Sequence, residues 1–219
     1  MAYPSVSKPY GLKPINLIGG QVFAGATRQR RIASGASSIG YGDPLQFASD
    51  GTVEVTTATT AAPVTGFAGV FLGCTFVSSV TGQPTYSQSW ISGTSVKANT
   101  YIVAYVADDP DTLFKAVGVT ASVVVSTTGG FTYSNVGNNV ALVANTLDTT
   151  TGDSLQGLLV SSASTTLSLP IRIVDVVEDT AFVSSGTTYY PEVIVKFNAP
   201  YVNSGVIEGG HAYNNPTGI

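Results

Sequence analysis

The sequence predicts an all-β protein: a barrel or sandwich body with an extended N-terminal arm and at most one or two short helices. Three observations predict it. Turn residues recur at roughly 8–15-residue spacing, as in sandwiches and barrels. The stretches between them are β-branched and aromatic. Helical periodicity is scarce throughout the 219 residues, a length sufficient for one sizeable all-β domain or two small ones.

Residues 1–31 read as the arm. Pro4, Pro9 and Pro14 favour extended backbone, and four glycines break any sustained period. Tyr3, Tyr10, Leu12, Ile15, Leu17, Ile18 and Phe23 are too apolar for a solvated tail, so the arm wants a surface, its own body or a neighbouring subunit. Residues 32–219 read as the β-rich body, open to a further division into 32–120 and 121–219. "DPLQFASDGTVEV" is a strand, an Asp-Gly turn and a strand. "AAPVTGFAGVFLGCTFVSS" is strand-like, with glycines that suggest bulges or close approach. A hairpin is expected around Gly129–Gly130. "LPIRIVDVVED" and "YPEVIVKFNAP" are the cleanest late strands: Val193, Val195 and Phe197 alternate with Ile194, Lys196 and Asn198.

Helix is expected in two places. In "DDPDTLFKAV", Asp109 can cap, Pro110 suits the first helical position and Asp111 favours the positive dipole end. "TGDSLQGLL", residues 151–159, is the weaker candidate. "YGDPLQF" and "TGDSLQG" share Gly-Asp-x-Leu-Gln, a faint echo of two similar halves.

Charge is sparse and uneven. Only 10% of residues are charged, against about a quarter in typical soluble domains, so uncharged polar residues must cover much of the surface. Such a surface is weakly protected against association and suits a protein that lives inside an assembly. Lys8, Lys13, Arg28, Arg30 and Arg31 give residues 1–31 a charge of +5 without a single acid. The remainder carries four basic residues against thirteen acids, or −9. "RQRR" beside so acidic a body points to protein carboxylates rather than a phosphate backbone, and nucleic acid is not an expected partner. No stretch approaches the roughly 20 apolar residues of a membrane span, and no secretory signal is read at the N-terminus.

Chemistry-bearing motifs are few. The lone Cys74 allows no internal disulfide and sits in an apolar run as a small hydrophobe. His211 is the only histidine, in a Gly/Asn/Pro-rich tail, a poor metal ligand set and an awkward base. Asp108, Asp109 and Asp111 lack calcium-loop spacing because Pro110 interrupts them. No nucleophile elbow, zinc-peptidase motif or P-loop occurs. The expectation is no enzyme, no metal and no cofactor.

Read in order, "PYGLKPINLIGGQVFAGATRQRRIASG", "YGDPL", "GVFLG", "YVADDPDTLFKAV", "LPIRIVDVVED" and "YPEVIVKFNAPYV" resemble head structural proteins of tailed bacteriophages, especially marine and cyanobacterial phages. These are read as capsid decoration, or cement, proteins. The resemblance covers the chain except roughly residues 120–165. It departs after "VKFN", where the family tends to place a His-containing phrase and this chain has "APYVNSG". It implies a mostly β-fold on the outer surface of an icosahedral capsid, with the major capsid protein and other copies of the chain as partners, often in trimers. On that reading Lys8, Lys13, Arg28, Arg30 and Arg31 of the arm pair with carboxylates while Tyr10, Leu12, Ile15 and Phe23 fill apolar grooves. Asp108, Asp109, Asp111, Asp175, Glu178 and Asp179 are the candidate acidic partners. The alternative is a tail or fibre component that binds a host receptor or glycan through its eleven tyrosines and Trp90.

Overall fold

A computed structural model describes residues 6–56 and 59–216; Tyr3 and Pro4 of the expected arm lie outside the described residues. In chain order the strands are β1 (Lys13–Leu17), β2 (Arg28–Arg31), β3 (Pro44–Phe47), β4 (Val53–Val55), β5 (Phe67–Val77), β6 (Pro84–Ser87), β7 (Val103–Ala107), β8 (Thr112–Val119), β9 (Asn139–Val140), β10 (Leu142–Val143), β11 (Gly157–Leu159), β12 (Ile171–Val176), β13 (Phe182–Ser184), β14 (Thr187–Tyr189), β15 (Glu192–Phe197), β16 (Tyr201–Asn203) and β17 (Val206–Glu208). The architecture is all-β, as the sequence predicts. Helical structure among the described residues is three single 3₁₀ turns, at Tyr133–Asn135, Val160–Ser162 and Glu178–Thr180.

The first half of the chain builds a six-stranded sheet in the order β2-β7-β5-β3-β4, with β6 on the far end of β5. It curls almost into a barrel. Val53 of β4 forms a parallel bridge to Ile32, the residue that follows β2, and the Ala33 amide donates to the Val53 carbonyl at 3.0 Å. Closure hides the edges that an open sheet would expose. Ile39, Leu45, Val53, Phe71, Cys74, Trp90 and Val106 fill its interior.

The second half builds a seven-stranded sheet in the order β10-β11-β8-β15-β12-β9, with β1 joining it beside β8. Strict alternation makes β15: Val193, Val195 and Phe197 are buried while Ile194 and Lys196 are half-buried. The two sheets share a core. Phe67 and Val70 of β5 pack with Phe114, Ile171, Ile173, Val195 and Phe197. The Phe67 and Phe197 rings stack 4.4 Å apart. The division between sheets falls at the Asp108–Asp111 turn, twelve or so residues before the expected boundary, because β7 ends at Ala107 and β8 begins at Thr112.

Three local expectations are overturned. "DDPDTLFKAV" is a turn and a strand. The Asp109 carboxylate accepts from the Asp111 amide at 2.9 Å and its carbonyl from the Thr112 amide at 3.1 Å, which closes a turn. Thr112, Phe114 and Ala116 then face the core in alternation with Leu113 and Lys115, so the period is two and not 3.6. Residues 151–156 form a loop and 157–159 are β11 itself, because Ser154 and Gln156 are committed to contacts elsewhere in the fold. Gly129–Gly130 makes no hairpin: Phe131 instead bridges to Tyr190, and Ala121 to Val124.

The described part of the N-terminal segment is built into its own chain. β1 pairs antiparallel with β8, Lys13 opposite Lys115 and Leu17 opposite Thr112. β2 pairs with β7, Arg28 opposite Val106 and Arg31 opposite Val103. Leu12 is buried to 1% exposure, Ile15 and Phe23 are half-buried. Here the echoed motif acquires meaning. The two Gly-Asp-x-Leu-Gln segments lie side by side: Tyr41 bridges to Asp153 in parallel, and residues 10–12 cross over both. The Leu12 amide donates to the Gly42 carbonyl at 2.8 Å and the Gly11 amide to the Gln156 carbonyl at 3.0 Å.

That crossing tolerates no side chain at Gly11. Its φ is +73°, and a Cβ there would lie 2.5 Å from the Gly42 carbonyl oxygen and 2.7 Å from the Ser154 Cβ. Gly11→Ala should therefore destabilise the protein by about 2–4 kcal/mol in urea unfolding. Gly19→Ala, where nothing lies within 4 Å, should change stability by less than about 0.5 kcal/mol.

Candidate functional site

The charged side chains gather into three sets. The first surrounds Asp108 at the end of β7. Arg28 Nε lies 2.8 Å and Arg30 Nη2 3.6 Å from its carboxylate, and the Tyr213 hydroxyl donates to it. Arg28 and Arg30 share a side of β2, so both reach the same acid. Arg30 also donates to the Tyr213 oxygen, and Arg28 lies over the Tyr213 ring. Burial and then Asp108 push the Tyr213 phenol above its ordinary pKa. The N-terminal segment, the junction between sheets and the C-terminal tail are thus tied at one carboxylate. Arg31 points the other way and stacks on Tyr101, 3.6 Å from its ring centroid.

The second set lies on the outer face of the seven-stranded sheet. Lys13 and Lys115 sit directly opposite each other. Lys13 lies 4.6 Å from the Tyr10 ring centroid, and Lys115 forms an ion pair with Glu192 at 3.1 Å. The Tyr10 hydroxyl donates to Glu192. Burial foremost, then that carboxylate, raises the Tyr10 pKa. One strand further along the same face, Arg172 of β12 sits opposite Lys196 of β15. Lys8 pairs separately with Asp148, and that bond holds the Asp148 carboxyl below its usual range.

The third set is buried. Asp43 is 2% exposed and accepts from the Ser154 hydroxyl at 2.5 Å and the Gly40 amide at 2.7 Å. Burial pushes its pKa up to about 6, against the opposing pull of these donors and of Gln156. His211, also 2% exposed, packs against Phe197 and Tyr213, and its Nδ1 accepts from the Tyr213 amide at 3.2 Å. Burial lowers its pKa to about 4, with Asp108 and Asp109 opposing.

The basic residues expected on the arm therefore meet counter-groups of their own chain. Of the six expected acidic partners, Asp108 is taken up internally and Asp111 lies 3.9 Å from Lys196. Asp109 caps its turn. Asp175, Glu178 and Asp179 stand exposed around the third 3₁₀ turn, with no ion pair among the described residues. Trp90 is buried against Phe76 and presents no face to a sugar. Cys74 is buried, its thiol pushed up to about 11. Among the described residues no group of three His, Cys, Asp or Glu side chains could hold a metal ion. No described helix is long and apolar enough to cross a membrane. Sequence reading missed Tyr213, Glu192 and Ser154; only the Gly-Asp-x-Leu-Gln echo pointed toward one of them.

Two hairpins stand apart from both sheets. β13–β14 and β16–β17 are separate two-stranded ribbons. They carry Val183 at 65% and Val202 at 68% exposure, with Val206 and Ile207 also exposed. Comparison with known proteins finds no matching family model, curated protein or solved structure.

Two predictions follow from the buried acids. Asp108→Ala should cost about 2–3 kcal/mol, measured by urea unfolding, since it strands two arginines and a tyrosine; Asp109→Asn, which keeps its turn bond, should stay within about 0.5 kcal/mol of the parent. Between pH 6 and 4, native Asp43 takes up a proton that the unfolded chain does not, so it adds stability as pH falls. Native His211 refuses a proton that the unfolded chain accepts, so it removes stability over the same range. The two effects oppose each other. Asp43→Asn removes the Asp43 contribution while His211 is common to both chains, so the variant's stability relative to the parent should fall by about 1 kcal/mol per pH unit between 6 and 4.

Proposed function

We propose that this protein is a structural component of a bacteriophage head that decorates the icosahedral capsid and cements it, as an oligomer bound to the major capsid protein and to its own copies. The observation that carries the proposal is the pair of two-stranded hairpins whose apolar residues face solvent. A two-stranded ribbon alone is marginal in water, and exposed Val183, Val202, Val206 and Ile207 gain from burial against another chain. The sequence blocks that resemble phage head proteins support reading that other chain as part of a phage shell. Low surface charge supports the same reading, because such a surface is stabilised by packing against neighbours. A cement protein works by mass action: binding the expanded shell and not its precursor stabilises the expanded form. Weak contacts repeated around a symmetric oligomer multiply without any one of them being strong. The contacts to the shell then fall to the hairpins and to the exposed Asp175–Asp179 turn, while the basic N-terminal segment serves mainly to hold the protomer together.

The test is a mild guanidinium wash of virions, with mass spectrometry of the released protein. Release in hundreds of copies, leaving capsids that leak DNA on heating, is the expected result; a few copies that remain with tails would replace this reading with receptor binding. Paired substitutions Val183→Asp and Val202→Asp, one in each hairpin, should leave the isolated chain's unfolding within about 0.5 kcal/mol of the parent. They should also sharply reduce its retention on heads stripped of the native protein.

A further inference from the structure

The two like-charge pairs on the outer face of the seven-stranded sheet are treated differently. Like charges directly opposite on neighbouring strands destabilise a sheet. At Lys13 and Lys115 the chain supplies the remedy, with the Tyr10 ring against one ammonium and Glu192 against the other. At Arg172 and Lys196 it does not. Arg172 Nε donates to the Asn139 amide oxygen at 3.1 Å, and Arg172 has no ion pair among the described residues. Lys196 has Asp111 at 3.9 Å, a carboxylate that is 63% exposed.

Both cations line a cleft of about 370 Å³ whose apolar walls include Ile18, Pro110 and Pro200. His211 and Asn214 line it as well. Because His211 Nδ1 accepts a hydrogen bond from the Tyr213 amide, the neutral ring carries its proton on Nε2. That nitrogen is buried and has no hydrogen-bond partner. A buried N–H left without an acceptor is costly, and such groups are rare in native proteins. The cleft thus combines a guanidinium, an ammonium and an imidazole N–H in need of an acceptor; Asp111 approaches Lys196, while Asp108 and Asp109 act on the imidazole.

We propose that the Arg172–Lys196 cleft binds an oxyanion, a phosphate ester or a carboxylate carried on a small, partly apolar body. Guanidinium donors suit the paired oxygens of either group, and the ammonium adds a point charge. The apolar walls leave room for more than the anion itself. The inference stands on the sheet register and the cleft, independently of any role in a phage head.

The test uses the full chain at low ionic strength, titrated with inorganic phosphate and separately with acetate. Binding is followed by calorimetry and by the ¹⁵N shift of the His211 side chain. Saturable binding of at least one anion is expected, together with a His211 shift. Arg172→Gln combined with Lys196→Gln should weaken it by at least about tenfold; both residues lie on the solvent side of the sheet, and circular dichroism checks the fold. Lys97→Gln, in the loop between β6 and β7, should bind as the parent does. Phosphate binding alone assigns a phosphate ester, acetate alone a carboxylate. Failure of both anions to bind, or equal binding by the double variant, overturns the site.

Discussion

Backbones cross most closely where residues 10–12 pass over residues 40–43 and 152–156, and the rest of the structure depends on that crossing. Gly11 and Gly42 both have positive φ, and each would drive a Cβ into the other segment's backbone. Ser154 donates to Asp43 beneath them. An early segment, the opening of the barrel and a late loop are therefore fixed to one another before any strand pairing is counted. β1 and β2 follow from this placement, because the chain leaving Leu12 runs directly along β8. The N-terminal segment is a structural tie, held at one end by this crossing and at the other by Asp108.

The tie also explains the uneven charge along the sequence. Five basic residues without an acid look like an arm seeking a partner. In space they meet Asp148, Asp108, Tyr10 and Tyr101 of the same chain. The arginines of β2 also lie on a strand near the closing seam of the barrel, where charge discourages pairing with a second chain.

The parts of this fold that are legible in the sequence are those governed by period or by turn chemistry. β15 alternates cleanly, β12 does so up to an irregularity between Ile173 and Asp175, and Asp50-Gly51 joins β3 to β4 as the residues require. The Asp109-Pro110-Asp111 stretch misleads because the same residues open a helix or close a turn; only the alternation of Thr112, Phe114 and Ala116 distinguishes the two. Charge partners are a matter of long-range register. Nothing local pairs Tyr10 with Glu192 or Tyr213 with Asp108, which lie on either side of the whole fold in sequence. The echoed Gly-Asp-x-Leu-Gln motif marks the crossing, but its glycine and aspartate acquire their roles only when both copies are seen side by side.

What remains for other chains is the surface the tie leaves free: the two apolar hairpins, the acidic turn at Asp175–Asp179 and the cationic outer sheet. The central claim is that the N-terminal segment belongs to its own protomer. Hydrogen exchange on the isolated chain tests it most directly. The account predicts that amides of Leu12, Leu17, Arg28 and Arg30 exchange with protection comparable to that of β7 and β8. Rapid exchange across residues 10–31, with β7 and β8 protected, would show a free arm that awaits a partner and would contradict it.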